Sequence, residues 1–284
     1  MLWDIFPEQK IPGGAPANFA YHASQFGFES YIVSAVGKDL LGEEILKIFA
    51  EKELKLLVET IDFPTGTVKV ELNDKGIPKY EICENVAWDN IPFSERTKEL
   101  ALNCSAVCFG TLAQRNETSR KTIRSFLELV PKNALKIFDI NLRQNFYSKK
   151  IIHESLQNCN ILKINEEEVI EVARLFELEK KTEQEICLLL LKEYNLNIVI
   201  ETKGSVCSYV FTKDETSYLD TPKVNAIDTV GAGDSFAGSF VGALLQGKSI
   251  KEAHKLAVDV SSYICTQRGA MHNYVANFLN YSRK

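Results

Sequence analysis

The sequence predicts an α/β fold of three layers: a mostly parallel central sheet, helices on both faces, and a small β appendage. Three observations lead there. From residue 106 onward, short apolar runs alternate with helical patterns, as repeated βα units do. Glycines and polar residues gather just after the apolar runs, at the strand ends where ligands bind in such sheets. Only residues 67–83 have a different texture: Val68, Val70 and Leu72 alternate, and Asn73-Asp74-Lys75-Gly76 is turn chemistry. That hairpin reads as an edge addition or as a flap over a site.

The elements follow in order. The chain opens abruptly, with Met1, Leu2 and Trp3 as the remnant of a strand before Asp4. Gly13-Gly14-Ala15-Pro16-Ala17-Asn18 then starts a helix. Paired glycines allow close backbone approach, and Pro16 suits a first helical turn. Residues 31–36 are a strand ending at Gly37-Lys38-Asp39, and residues 40–52 a helix. After the hairpin come strands at 106–109, 136–140, 160–164 and 197–202, with helices at 119–129, 151–156, 183–194 and one starting at Glu166. Residues 208–212 and 215–219 form a hairpin near one sheet edge. A central helix begins near Ala232, and another spans 250–267.

Composition narrows the class. The 284 residues are 45% apolar and 25% charged, enough for one large domain with an appendage. A net charge of −5 gives no general attraction to nucleic acid or to an acidic membrane. The seven cysteines contain no Cys-x-x-Cys pair, and the expected setting is a reducing cytoplasm. The four histidines lack zinc-ligand spacing, and no signal peptide or membrane-spanning stretch is evident.

The chemistry concentrates in Asp228-Thr229-Val230-Gly231-Ala232-Gly233-Asp234. Glycines before a helix turn the backbone sharply and leave N–H groups free, and with the helix dipole they make an anion site. A carboxylate beside such a site suggests a base working next to a held phosphate. A loop before a helix with an acidic first turn is the plain alternative. Asp139, Asn141 and Arg143, spaced by two, share one face if the chain stays extended. Asn165 and Glu168 read as an N-cap and a capping box.

The string 228–234 resembles the C-terminal signature of the ribokinase-like (PfkB) sugar kinases. The block from Gly13 to Asn18, with Gly37 through Gly42, resembles their N-terminal signature, and Trp3-Asp4-Ile5-Phe6-Pro7 looks most like the fructokinase branch. The resemblance covers almost the whole chain. It implies one ribokinase-like domain over 1–284, with a lid at about 5–13 and 64–92 that pairs between subunits in a homodimer. It implies transfer of phosphate from ATP to a sugar, fructose at its 6-hydroxyl. Related activities on 2-keto-3-deoxygluconate, ribose or a nucleoside are alternatives, as is a sugar-binding sensor that has lost catalysis. Partners are the sugar and ATP, with neither nucleic acid nor membrane.

The resemblance also implies roles. Asp234 is the base, with Gly231, Ala232 and Gly233 as anion hole and Arg143 as added positive charge. Asp4, Gly13, Gly14, Asn18, Gln114 and Asn141 hold the sugar. Asn165, Thr202, Gly204, Thr229 and Gln267 border the nucleotide, together with the glycines of the anion hole. Glu168 organises Mg²⁺ indirectly, and Asp228 lies near a monovalent cation such as K⁺. Asp234, beside a helix N-terminus, is expected to stay ionised as a weak base. Cys207 stands where the family often has a second glycine, and Lys203 is expected in solvent. Family members are expected to carry one further strand, about 5–6 residues, before the Trp-Asp; either the sequence starts late or this chain lacks it.

Overall fold

The computed structural model describes residues 1–72, 78–274 and 278. β1 (Leu2–Ile5) pairs antiparallel with β2 (Lys10–Gly13), and α1 (Ala15–Ser24) follows at once. β3 (Tyr31–Gly37), α2 (Leu40–Glu51) and β4 (Lys55–Ile61) form a βαβ unit whose two strands run parallel. β5 (Thr67–Leu72) and β6 (Pro78–Ile82) are antiparallel, and β5 lies parallel to β1, giving a small sheet of order β2-β1-β5-β6. The expected turn at Asn73-Asp74-Lys75-Gly76 falls outside the described residues.

After α3 (Glu95–Asn103), the chain builds the main sheet. Its units are β7 (Ala106–Phe109), α4 (Glu117–Leu129), β8 (Leu135–Asp139), α5 (Lys149–Gln157), β9 (Ile161–Asn165), α6 (Glu166–Phe176), α7 (Glu183–Glu193) and β10 (Ile198–Lys203). β7 to β10 are parallel. The hairpin of β11 (Cys207–Thr212) and β12 (Thr216–Asp220) closes one edge antiparallel. α8 (Ala232–Leu245) and α9 (Ile250–Cys265) follow.

Each strand of the main sheet feeds both faces, because successive side chains point opposite ways. Ile137, Ile161, Ile198, Ile200 and Val210 join Phe19, Phe236, Phe240 and Leu256 beneath α1, α8 and α9. Phe138, Leu162, Val199 and Phe211 join Val169, Ile186 and Leu190 beneath α5, α6 and α7. Burying one such Leu or Ile side chain contributes about 1.5–3 kcal/mol, so the two faces fix the register that aligns the strand ends.

Three features differ from the sequence expectation. β1 runs past Trp3 to Ile5 and belongs to the small sheet, where the sequence showed only a three-residue remnant; Trp3 packs on α1 and α2. β4 had no turn signal before it; the chain turns at Glu53, which takes a left-handed φ of 59° without glycine. Among the described residues, β3 and β4 form a separate parallel pair.

Candidate active site

The parallel register brings several polar residues to neighbouring strand ends. Asp139 at the end of β8 lies opposite Lys163 on β9, and Asn165 at the end of β9 lies opposite Thr202 on β10. α8 begins against this row. Gly231 is its N-cap in the left-handed region, φ 79°, and a Cβ there would sit 2.4 Å from Ala270 Cβ. A side chain at that position is excluded twice, by φ and by contact.

The two ends of the chain meet at Asp234. Asn18, in the first turns of α1, donates from Nδ2 to Asp234 Oδ2 at 2.7 Å. Burial, with the Asp139 carboxylate next in importance, pushes the Asp234 carboxyl up to about 6. The Asn18 hydrogen bond and the charges of Lys163 and Arg143 pull the other way and do not prevail. The helix end does not keep Asp234 an ordinary weak base, as the sequence suggested. Desolvation makes it a stronger one, still mostly ionised at neutral pH.

The anion cradle is narrower than expected. The Ala232 N–H reaches the Thr229 carbonyl at 3.2 Å. Among the described residues, the N–H groups of Gly231 and Gly233 have no acceptor. The turn is held from outside: Asp228 accepts from Val230 N at 3.0 Å and from Gly269 N at 2.9 Å. Asp228 thus clamps the 228–231 turn to the loop after α9, which includes Gln267. Gln267 itself donates to Thr266 Oγ1.

β1 and β2 lead directly into α1, the helix that carries Asn18. Asp4 Oδ2 lies 3.1 Å from where a Gly13 Cβ would be, so Gly13 is what admits that carboxylate. Gly14 follows with φ 122° as the N-cap of α1, and burial raises the Asp4 pKa.

The Asp139-Asn141-Arg143 face does not form. Asn141 takes a left-handed φ of 43°, which ends the extended alternation. Arg143 is exposed and donates from Nη1 to the carbonyl of Leu142, within electrostatic reach of Asp234. Gln114 also differs from expectation. It is buried, and its Nε2 donates to Gly110 O and Ser155 Oγ, both at 2.9 Å, which spends the donors a sugar would need.

Asn165 and Glu168 form the capping box in full. Asn165 Oδ1 accepts from Glu168 N, and Glu168 Oε2 accepts from Asn165 N, each at 2.9 Å. Glu168 Oε1 accepts from Leu142 N. Both carboxylate oxygens hold backbone, so this acid shapes the loop between β8 and the strand-end row. Gly204, φ 50°, leaves β10 in the exposed turn before Cys207, which is buried and opens β11. Lys203 is not in solvent as expected; it pairs with Glu183 and lies 3.8 Å from Glu201.

Two further buried cations stand out, and their pairings do not show in the sequence. Lys163 is a buried lysine in an apolar strand, and both Asp139 oxygens accept from its Nζ at 3.0 Å. Arg115 is buried against the rings of Trp88 and Phe146, donates to both Asp89 oxygens at 2.8 Å, and reaches the Cys83 carbonyl at 2.6 Å. That pair ties the residues after β6 to the main body. In both cases the partner is more than twenty positions away, and periodicity does not reveal it.

The pfkB family carbohydrate kinase model matches residues 8–276. An uncharacterized sugar kinase from Pyrococcus horikoshii is 29% identical over 95% of this chain and 85% of its own. Its structure in complex with ATP superposes with a TM-score of 0.81 at 24% identity, covering 95% of this chain and 91% of that one. The fructokinase of Escherichia coli is 27% identical over 94% of this chain and 92% of its own. A Vibrio cholerae fructokinase, bound to fructose, ADP and calcium ion, has a TM-score of 0.81 at 20% identity, covering 99% and 96% of the two chains.

Proposed function

This chain belongs to the pfkB family of carbohydrate kinases and is a phosphotransferase acting on a sugar hydroxyl, and we propose that the sugar is fructose, phosphorylated at its 6-hydroxyl from ATP. The observation that carries the site assignment is the Asn18–Asp234 hydrogen bond beside the free amides of Gly231 and Gly233. The choice of fructose is supported by the E. coli and V. cholerae relatives and by the Trp3-Asp4 opening against Gly13.

The geometry supports a set of roles. Asn18 holds Oδ2 of Asp234, which leaves Oδ1 for the sugar hydroxyl. A carboxyl near 6 is ionised at pH 7 yet basic enough to take a proton late, as bond breaking to the leaving group advances. The amides of Gly231 and Gly233, at the positive end of α8, hold the γ-phosphoryl oxygens. Asp4, with Gly13 and Gly14 at its side, holds sugar hydroxyls, and Arg143 adds positive charge at the site mouth. The small sheet carries Asp4 and acts as the lid that excludes water.

The residues fit ATP and magnesium. Two unpaired amides on glycines that cannot carry a side chain without a clash or close contact form a phosphate cradle. Both oxygens of Glu168 are committed to backbone amides, so a magnesium ion would meet this acid through water, as that ion usually does. When bound, ATP would supply the phosphoryl group and magnesium would offset the negative charge of its phosphates. Potassium would bind by the loop pair that Asp228 clamps.

The test is ADP release with ATP and Mg²⁺ across fructose, ribose, 2-keto-3-deoxygluconate and a nucleoside, with and without potassium. Fructose is expected to give the highest kcat/KM. A tenfold or greater preference for another acceptor overturns the substrate reading, and sugar binding without turnover on any acceptor supports the sensor alternative.

A further inference from the structure

Lys163 occupies a place where physics favours an aliphatic side chain. Its neighbours on β9, Ile161, Leu162 and Ile164, are all fully buried. Burying an ammonium there costs several kcal/mol before any pairing. Asp139 compensates with two contacts of 3.0 Å, one to each oxygen. Buried pairs of this kind are often no more stabilising than apolar residues of the same size. Stability is therefore a weak account of why the pair is present.

Its position offers a better account. A Cβ on Gly233 would stand only 3.2 Å from Lys163 Nζ. The ammonium thus abuts the backbone of a residue whose own amide is free. Three carboxylates act on it: Asp139 on β8, Glu168 on α6 and Asp234 on α8. Burial works against its charge, but the carboxylates of Asp139, Glu168 and Asp234 outweigh burial and keep it protonated. It is a permanent cation, fixed in direction by Asp139.

We propose that Lys163 is a positioning residue for phosphoryl transfer: held by Asp139 against the back of Gly233, its ammonium sets a fixed positive charge behind the amide cradle that receives the γ-phosphoryl group. This rests on the reading of Gly231, Gly233 and Asp234 given above. Charge shifts onto the phosphoryl oxygens and the leaving oxygen during transfer, and a preorganised cation nearby stabilises that state more than the ground state. The effect falls on kcat and leaves fructose binding largely alone.

The experiment compares Asp139→Asn, Lys163→Met and the double variant Lys163→Met/Asp139→Asn by thermal melting and steady-state kinetics. Lys163→Met strands a buried carboxylate and loses both stability and rate. The double variant removes both charges, so its Tm is expected to recover to near wild type. Its kcat is expected to stay roughly 10–100-fold low, with fructose KM changed less than about twofold. Asp139→Asn, which keeps the ammonium, stays closer to wild-type kcat than the double variant.

Wild-type kcat in the double variant overturns the proposal. So does a double variant that stays as unstable as Lys163→Met, because the pair is then structural. Equal slowing by Asp139→Asn alone also overturns it, because the loss then belongs to Asp139. Failure of the underlying site reading is distinguishable: Asp234→Asn would then retain turnover whatever Lys163 does.

Discussion

Asn18 and Asp234 lie 216 positions apart in sequence and 2.7 Å apart in space, amide nitrogen to carboxylate oxygen. The first turns of α1 and of α8 therefore form one site. α1 brings the residues of the first glycine block, α8 brings the anion cradle, and the hydrogen bond aligns the acid between them. That bond is also one of the forces holding the Asp234 pKa down against burial.

Removing it has a signed consequence. In Asn18→Leu, Asp234 loses a donor that favours its charged form, and its pKa rises above about 6. Activity needs the ionised form, so it falls as pH drops through that pKa. The acid limb of kcat/KM for Asn18→Leu is expected at higher pH than in wild type. A superimposable acid limb, measured between pH 5 and 9, would separate Asn18 from Asp234.

Asp234→Asn keeps the Asn18 contact sterically and removes the proton acceptor. The expected loss in kcat is about 10²–10⁴-fold, the usual contribution of a positioned base. Fructose binding by calorimetry should remain near wild type. Full turnover in Asp234→Asn would take this carboxylate out of the mechanism.

Gly231→Ala tests the cradle itself. The new Cβ meets Ala270 at 2.4 Å, and φ 79° suits only glycine well. The left-handed backbone alone costs about 1–2 kcal/mol, and the contact with Ala270 must open the turn that Asp228 clamps. ATP affinity is expected to fall more than fructose affinity, with a lower Tm. An unchanged ATP KM would mean that the turn does not hold phosphate.

Much of this site can be read in the sequence because glycine and acid are informative at turns. Gly231, Gly233, Asp234 and the block from Gly13 to Asn18 announce a bend, a free amide and a charge within a few residues. Alternation did the same for the sheet: apolar runs separated by helical patterns read as a parallel sheet, and β7 to β10 are parallel. Most of the misses share a cause, which is tertiary pairing. Gln114 looked available until Ser155, 41 positions on, took its amide. Asn141 is a local miss instead: asparagine tolerates a left-handed φ, and spacing by two does not show that the chain uses it there. Lys163 gave no signal because its meaning lies in Asp139 on the next strand and in the bare face of Gly233.

The last prediction concerns acid stability and two histidines outside the site. His22 and His254 are both fully buried, and burial pushes each down to about 4 from an ordinary value of 6.5. His22 lies between the Tyr274 hydroxyl and the Ala270 carbonyl, and His254 between the hydroxyls of Ser208 and Ser217. The folded state keeps them neutral while the unfolded chain protonates them. Their contribution is therefore intact above pH 6.5 and is lost as pH falls toward 4, on the order of 2 kcal/mol per histidine by pH 5. Asp234, raised to about 6, and Glu201, raised to about 7, act in the opposite sense, since folding raises their proton affinity. The wild-type Tm alone mixes these effects, and a variant separates them. His254→Asn retains groups that can bond to the two serines and has no proton to gain. Its Tm should lie below wild type at pH 7.5, and the gap should narrow or reverse by pH 5. A gap that is constant across that range would show that His254 is not held neutral by the fold.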